Sequence, residues 1–359
     1  MVLGIILLAV TGVAAESGEK CDAPDAVCAA RDAVFGISAF DPVGSAVRIG
    51  SDLLVTNRHI VADKTKVEII LPDGKRVMGE VIPSSFLGDL IMVRAKLPEG
   101  HALELGGENF GDLWTVGQDI SEKRVKVYPK GQLLLPPAQG KPYARLHHTA
   151  YSQPGNSGGA LVNSDGKLVG VTASGGAGRF EAVPASQISD LRAQSGPGQM
   201  EKSASIGKNL RECTLMLEKA QRMGNTLPEK FANVVKASCN ASENRQLYDL
   251  TGQLLGRHRK LDDAATFFER SIEKDPNAIN SRLGLVLTLR FARRLEDAKP
   301  HVSWLLEVVP EERSIHPVAL HVGKATKDQA MIDKALGLIK KHAPNQLDAA
   351  KNFLKSPAR

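Results

Sequence analysis

Aromatic side chains are scarce in this 359-residue sequence, at 4%. Proteins that grip nucleic acid by base stacking need exposed rings, so nucleic acid is set aside as a partner. Cysteine is scarce as well: four residues are too few for a disulfide-dense mini-scaffold. The apolar run Val2–Val10 is too short to cross about 30 Å of hydrocarbon as a helix. A strong overall charge is missing, with 46 basic against 40 acidic side chains. The balance is uneven along the chain, however. Residues 205–359 hold 26 basic and 18 acidic groups, so any attraction for an acidic partner belongs to that part. Hydrophobic content of 42% and charged content of 24% exclude a polytopic membrane protein and a disordered chain, and the length fits two or three domains.

The ends and seams can be read directly. Residues 1–15 contain no charged side chain and end in Val13-Ala14-Ala15, followed by a polar segment. That pattern predicts a secretory signal peptide cleaved after Ala15, although the basic n-region is absent; the alternative is a short uncleaved anchor. Export implies a periplasmic or secreted protein with no stable membrane anchor after cleavage. In such a compartment cysteines pair, here as Cys21–Cys28 and Cys213–Cys239. Breakers around Gly224-Asn225 and Leu227-Pro228 place a turn near Thr226, with Cys213 and Cys239 equidistant from it, as an antiparallel helical hairpin requires. Residues 40–185 read as short strands, among them 45–49, 52–56, 66–71, 76–82, 90–95, 132–135 and 168–171, bounded by Gly, Pro and Asp turns. This spacing predicts a sandwich or barrels. After about residue 205 the periodicity is helical. Ala264, Phe268 and Pro276 recur 34 positions later as Ala298, Val302 and Pro310, and Pro344 follows at the same interval. The region therefore resembles a tetratricopeptide array. The expected divisions are an N-terminal segment 16–34, a β domain 35–192, a linker 193–206, a helical hairpin 207–244, repeats 245–346 and a capping helix with tail 347–359.

The stretch from Ser152 to Val162 carries Gly155-Asn156-Ser157-Gly158-Gly159. A nucleophilic serine needs a tight turn that aims two backbone N–H groups at the oxygen of the carbonyl it attacks, and flanking glycines permit it. Gly155 and Ser157 are the expected donors of this oxyanion hole. His59 follows an apolar strand and a polar turn, and Asp89 opens another buried strand. A serine base needs an imidazole held in one tautomer by a carboxylate, and the order His59, Asp89, Ser157 is that of the chymotrypsin-type arrangement.

Thr56-Asn57-Arg58-His59-Ile60-Val61, Gly88-Asp89-Leu90 and Gly155-Asn156-Ser157-Gly158-Gly159 together resemble the signature blocks of trypsin-like peptidases of the bacterial Deg (high-temperature-requirement) type. The resemblance covers residues 32–192. It implies a chymotrypsin-like pair of six-stranded β-barrels and a serine-type endopeptidase acting on protein or peptide substrates. His59 would be the base, Asp89 its orienting partner and Ser157 the nucleophile. No PDZ-like loop is present, and the helical repeats stand in its place, offering a surface for a protein partner. Tyr151 would lie near the floor of the specificity pocket. Glu181 would either line that pocket and favour a basic substrate residue or point to solvent.

His147-His148 lacks partners at metal-ligand spacing, so no metal and no cofactor is expected. Asp63, close to His59 in sequence, is a poor candidate for the orienting carboxylate. The rival to the enzyme is a tetratricopeptide interaction scaffold with an inactive protease-like domain. Degeneration would strike the triad or the oxyanion loop first, and both stand intact.

Overall fold

The computed structural model describes residues 21–107, 110–224 and 226–356. The expected signal peptide lies outside them. A short helix α1 (Asp25–Ala29), tied by the Cys21–Cys28 disulfide, leads into the first barrel. Its strands are β1 (Val34–Ser38), β2 (Gly44–Arg48), β3 (Leu53–Thr56), β4 (Lys66–Ile70), β5 (Arg76–Ile82) and β6 (Ile91–Arg94), with the one-turn helix α2 (Arg58–Val61) after β3. They close in the order β1-β2-β3-β6-β5-β4, with β4 back on β1. The closure leaves no free edge. Phe35, Ile37, Leu54, Ile69 and Val93 fill the interior.

The second set comprises β7 (Asp112–Asp119), β8 (Arg124–Val127), β9 (Gly131–Leu135), β10 (Leu146–His148), β11 (Ala160–Asn163), β12 (Leu168–Gly176) and β13 (Arg179–Pro184). Because β7 pairs with both β9 and β11, six of these strands form a second closed ring, β7-β11-β12-β13-β10-β9, and β8 is a hairpin extension of β7. A shared apolar layer joins the two barrels, with Val47, Val55 and Met92 from the first meeting Val116, Val162 and Val183 from the second. The strand expected at 168–171 runs on to Gly176. Its Ala-Ser-Gly-Gly end has little strand propensity and is held by pairing with β13.

Helices follow: α3 (Gln187–Ala193), α4 (Met200–Gln221), α5 (Glu229–Ala241), α6 (Arg245–Arg257), α7 (Leu261–Lys274), α8 (Ile279–Phe291), α9 (Leu295–Val308), α10 (Ile315–Ala325), α11 (Gln329–His342) and α12 (Leu347–Lys355). Helix α4 begins at Met200, inside the segment expected to be a linker at 193–206. The early start is explained by packing: a Cβ on Gly207 would meet the Ala62 carbonyl oxygen at 2.2 Å, so α4 lies directly on the turn after α2. Cys213 and Cys239 join α4 to α5, with their Cα atoms 4.5 Å apart. From α6 onward the helices come in antiparallel pairs. Arg259, Arg293 and Lys327 sit in the intervening turns with positive φ, again at intervals of 34. Gly252 packs against the Phe268 ring, and Ala264 faces Gly256. The helical arm bends back over the second barrel. Arg179, at the start of β13, reaches Asn280 (3.1 Å) on α8 and Glu312 (2.5 Å) after α9.

In β10, alternate side chains face opposite ways. His147 points toward the helical arm, whereas His148 is fully buried on the barrel side. Burial pushes the His148 imidazole down to about 3. A histidine whose folded-state pKa is depressed leaves stability intact above its unfolded value and erodes it as pH falls toward the folded one. Urea unfolding should therefore show a loss of about 2 kcal/mol from this group between pH 7.5 and pH 5. His148→Phe should flatten that part of the profile; an unchanged slope would show that His148 is not the group responsible.

Candidate active site

The turn leaving β3 runs through Asn57 into α2, and Asp89 stands just before β6, the strand that pairs with β3. This adjacency brings the two segments together. The Asn57 side-chain amide and the Arg58 N–H both donate to the Asp89 carbonyl, at 3.0 and 3.3 Å. The carboxylate accepts the His59 N–H on Oδ1 (3.0 Å) and meets the His59 ring at Nδ1···Oδ2, 2.8 Å. Burial alone would raise the Asp89 pKa. His59 and the Arg145 guanidinium outweigh that and hold it below the ordinary carboxylate range. An ionised carboxylate only accepts, so Nδ1 carries a proton, and in the neutral imidazole the lone pair lies on Nε2.

Ser157 lies on the far side of the cleft between the barrels. Asn156 N–H closes a turn onto the Gln153 carbonyl (3.0 Å), and Gly155 at its third position has φ +96°. Gly158 follows with φ +83°, where a Cβ would lie 2.0 Å from the Ser45 carbonyl oxygen, so only glycine fits. Neither the Gly155 nor the Ser157 N–H donates to an acceptor among the described residues. The turn leaves both amides open beside the hydroxyl. Ser157 Oγ itself donates to the Ala173 carbonyl of β12 at 3.1 Å and makes no hydrogen bond to His59.

Ser45, placed by the sequence only in the short strand expected at 45–49, ties this loop to the first barrel. Its N–H donates to the Ser157 carbonyl (2.7 Å) and its hydroxyl to the Gly155 carbonyl (2.7 Å), while that hydroxyl accepts the Gln118 N–H (2.8 Å). Asp63 is far from the His59 ring in function: it pairs with Arg211 of α4 at 2.8 Å.

Tyr151, Ser157, Phe180 and Glu181 line a cleft of about 890 Å³, whose opposite wall is the helical arm with Leu250 and Leu287. Glu181 does not point to solvent, being 4% exposed. Nor is it a free anion for a basic substrate group. Its carboxylate accepts from Ser174 Oγ (3.0 Å) and is paired with Arg145 (3.3 Å) and, in closer contact, with Arg245 of α6. Both cations were invisible in the sequence, which offers no signal for pairings across 36 and 64 residues. Likewise His147, set aside as isolated, meets Asp275 Oδ2 at 2.9 Å. Burial raises the Asp275 pKa, but His147 and Arg245 overcome this and bring it to about 2.

Residues 44–171 match the family described as trypsin-like peptidase domain. Among curated proteins the chain is similar to the probable serine protease do-like of Buchnera aphidicola, 27% identical over 175 residues, 43% of this chain and 36% of the relative. It is also similar to the periplasmic serine endoprotease DegP of Escherichia coli, 24% identical over 238 residues, 61% of this chain and 49% of the relative. The serine protease HtrA-like of Staphylococcus aureus is 32% identical over 154 residues, 37% of this chain and 20% of the relative. The chain thus spans about half or less of the length of these relatives. Similar solved structures include the HtrA-type protease AlgW with tripeptide, with TM-score 0.40, 23% identity, 47% of this chain and 62% of that chain covered.

The Ser45 hydroxyl serves two buried backbone groups at once. Ser45→Ala should cost about 1–3 kcal/mol in denaturant unfolding, because a buried donor and acceptor lose their partner. Asp63→Asn, in a partly exposed pair, should cost about 1 kcal/mol or less. Equal costs would show that Ser45 does not anchor the loop.

Proposed function

We propose that the chain is a serine-type endopeptidase, proceeding from the trypsin-like peptidase match over residues 44–171. The observations that support this reading are the Asp89–His59 bond, at 2.8 Å, and a serine whose turn leaves two amides without an acceptor among the described residues. His59 Nε2 takes the Ser157 proton once the hydroxyl rotates from the Ala173 carbonyl. Oγ then attacks the peptide carbonyl carbon, and the Gly155 and Ser157 N–H groups hold the developing oxyanion. The imidazolium returns its proton to the leaving amine, giving an acyl-enzyme and a freed amine. Water, activated by the same imidazole, releases the acyl group. Asp89 stays ionised throughout and keeps the imidazole in the useful tautomer.

Protein or peptide chains are the substrates in this reading, entering the cleft so that one side chain reaches Tyr151 and Phe180. The paired state of Glu181 directs the preference away from basic residues. The stacked helix pairs act as tetratricopeptide-like repeats that dock a substrate or a protein partner. Two disulfides fit an oxidising compartment, which supports a periplasmic or secreted location. One observation favours the inactive-scaffold alternative: the Ser157 hydroxyl is turned to Ala173 rather than to His59. The endopeptidase reading needs the hydroxyl to turn toward His59, and active-site hydrogen bonds are commonly loose without substrate.

The purified chain should react with a fluorophosphonate probe and hydrolyse an unfolded protein substrate. Ser157→Ala should abolish labelling, and it and His59→Ala should each lower kcat by about 10⁴-fold or more, with little further loss in the double variant. Asp89→Asn should lower it by about 10⁴-fold with the fold intact, because the amide favours the wrong tautomer. A folded wild-type chain that neither labels nor cleaves would favour the scaffold.

A further inference from the structure

The buried ionic cluster behind the cleft connects the helical arm to Asp89. Arg145, immediately before β10, divides its guanidinium: Nη2 donates to Asp89 Oδ2 (3.2 Å), the oxygen that also meets His59, and Nη1 donates to Glu181 (3.3 Å) and Ser174 Oγ (2.9 Å). Its backbone N–H donates to Asp275 Oδ2 at 3.2 Å. Arg245 of α6 lies on the same Glu181 oxygen that Arg145 uses. Asp275, at the end of α7, also takes the His147 bond. The Arg145 and Asp89 side chains are each only 3% exposed, so loss of either partner leaves a buried charge poorly compensated.

The geometry points to the helical arm as a working part of the catalytic centre: Arg245 and Asp275 hold Arg145 against Asp89, making Arg145 a positioning residue for the Asp89–His59 pair. This inference rests on the endopeptidase reading. The physical content is competition for one guanidinium. With Arg245 in place, Glu181 has a cation of its own, and Arg145 is free to share its second nitrogen with Asp89. Without Arg245, the buried Glu181 carboxylate has Arg145 as its nearest cation and draws it off Asp89. The carboxylate would then lose a contact fixing the orientation of the oxygen that faces His59. Asp275 acts from the other side, pinning the Arg145 main chain at the β10 entry, so the side chain starts from a fixed point.

The test compares full-length chains: wild type, Arg145→Met, Arg245→Met, and the double change Glu181→Gln with Arg245→Met, each checked for folding by circular dichroism and thermal melting. Arg145→Met and Arg245→Met should each lower kcat by about tenfold or more and leave KM within about threefold, as loss of an orienting contact predicts. The double variant removes the competing charge and should recover most of the kcat lost in Arg245→Met. A merely structural role would not give that recovery. If Arg245→Met fails to fold, the double variant is compared with folded Arg145→Met: a clearly higher kcat supports the inference, and an equal or lower kcat overturns it. Folded Arg145→Met with wild-type kcat also overturns it. A wild-type chain that does not label with the fluorophosphonate probe would instead sink the endopeptidase reading itself.

Discussion

A carboxylate cannot stay ionised out of water unless cations or hydrogen-bond donors surround it, and the protein is organised around meeting that demand at Asp89. The His59 ring and amide meet part of it, and Arg145 meets more. Arg145 is itself a buried charge, and its surplus is matched by Glu181, which in turn is matched by Arg245. Each pairing shifts the requirement one residue further from the cleft until it reaches the helical arm. Burial depresses both guanidinium pKa values, Arg245 to about 10, which leaves the two cations charged at neutral pH. The β10–β13 register, with His147 opposite Glu181, lets a single strand pair carry several members of this chain of charges.

The Ser157 side is held by different means. There the controlling elements are backbone turns rather than ions. Gly155 and Gly158 supply conformations that other residues would strain to adopt, and Ser45 locks the turn through the carbonyls at both ends. Since Ser45 sits on β2 and Ser157 just ahead of β11, the loop is fixed by both barrels at once. The two halves of the site are therefore fastened to a common frame, and the separation between His59 and Ser157 follows from how the barrels pack across Val47, Met92, Val116 and Val183.

The parts of this arrangement that were legible in the sequence are those written in short spacings. Glycines around Ser157, the turn before His59 and the acidic opening of the β6 strand each carry a local chemical reason, and the Asp89–His59 contact follows from strands that pair in register. The helical half was legible through its 34-residue interval and its breakers, which also brought Cys213 and Cys239 side by side. Arg145, Arg245 and Asp275 were not legible, because a lone arginine before a strand or an aspartate ending a helix has an adequate local explanation in solvent exposure. Their meaning comes from docking one unit on the other, and no periodicity records it. Glu181 shows the same limit: strand alternation offered cleft or solvent, and the structure fills the cleft side with cations from elsewhere.

The two-sided origin of the ionic cluster also bears on the order in which the molecule is made. A chain emerges from its N-terminus, and domains generally fold as they appear. The barrels, complete by Pro184, therefore exist before Arg245 and Asp275 have been synthesised. During that interval Arg145 already has Asp89 and Glu181, but His147 and the Arg145 main chain lack Asp275, and Glu181 lacks Arg245. The barrel pair must remain partly open there or leave the charges wet. The final pairing of these charges therefore waits on the C-terminal half, and the ionic cluster is the last part of the site to close.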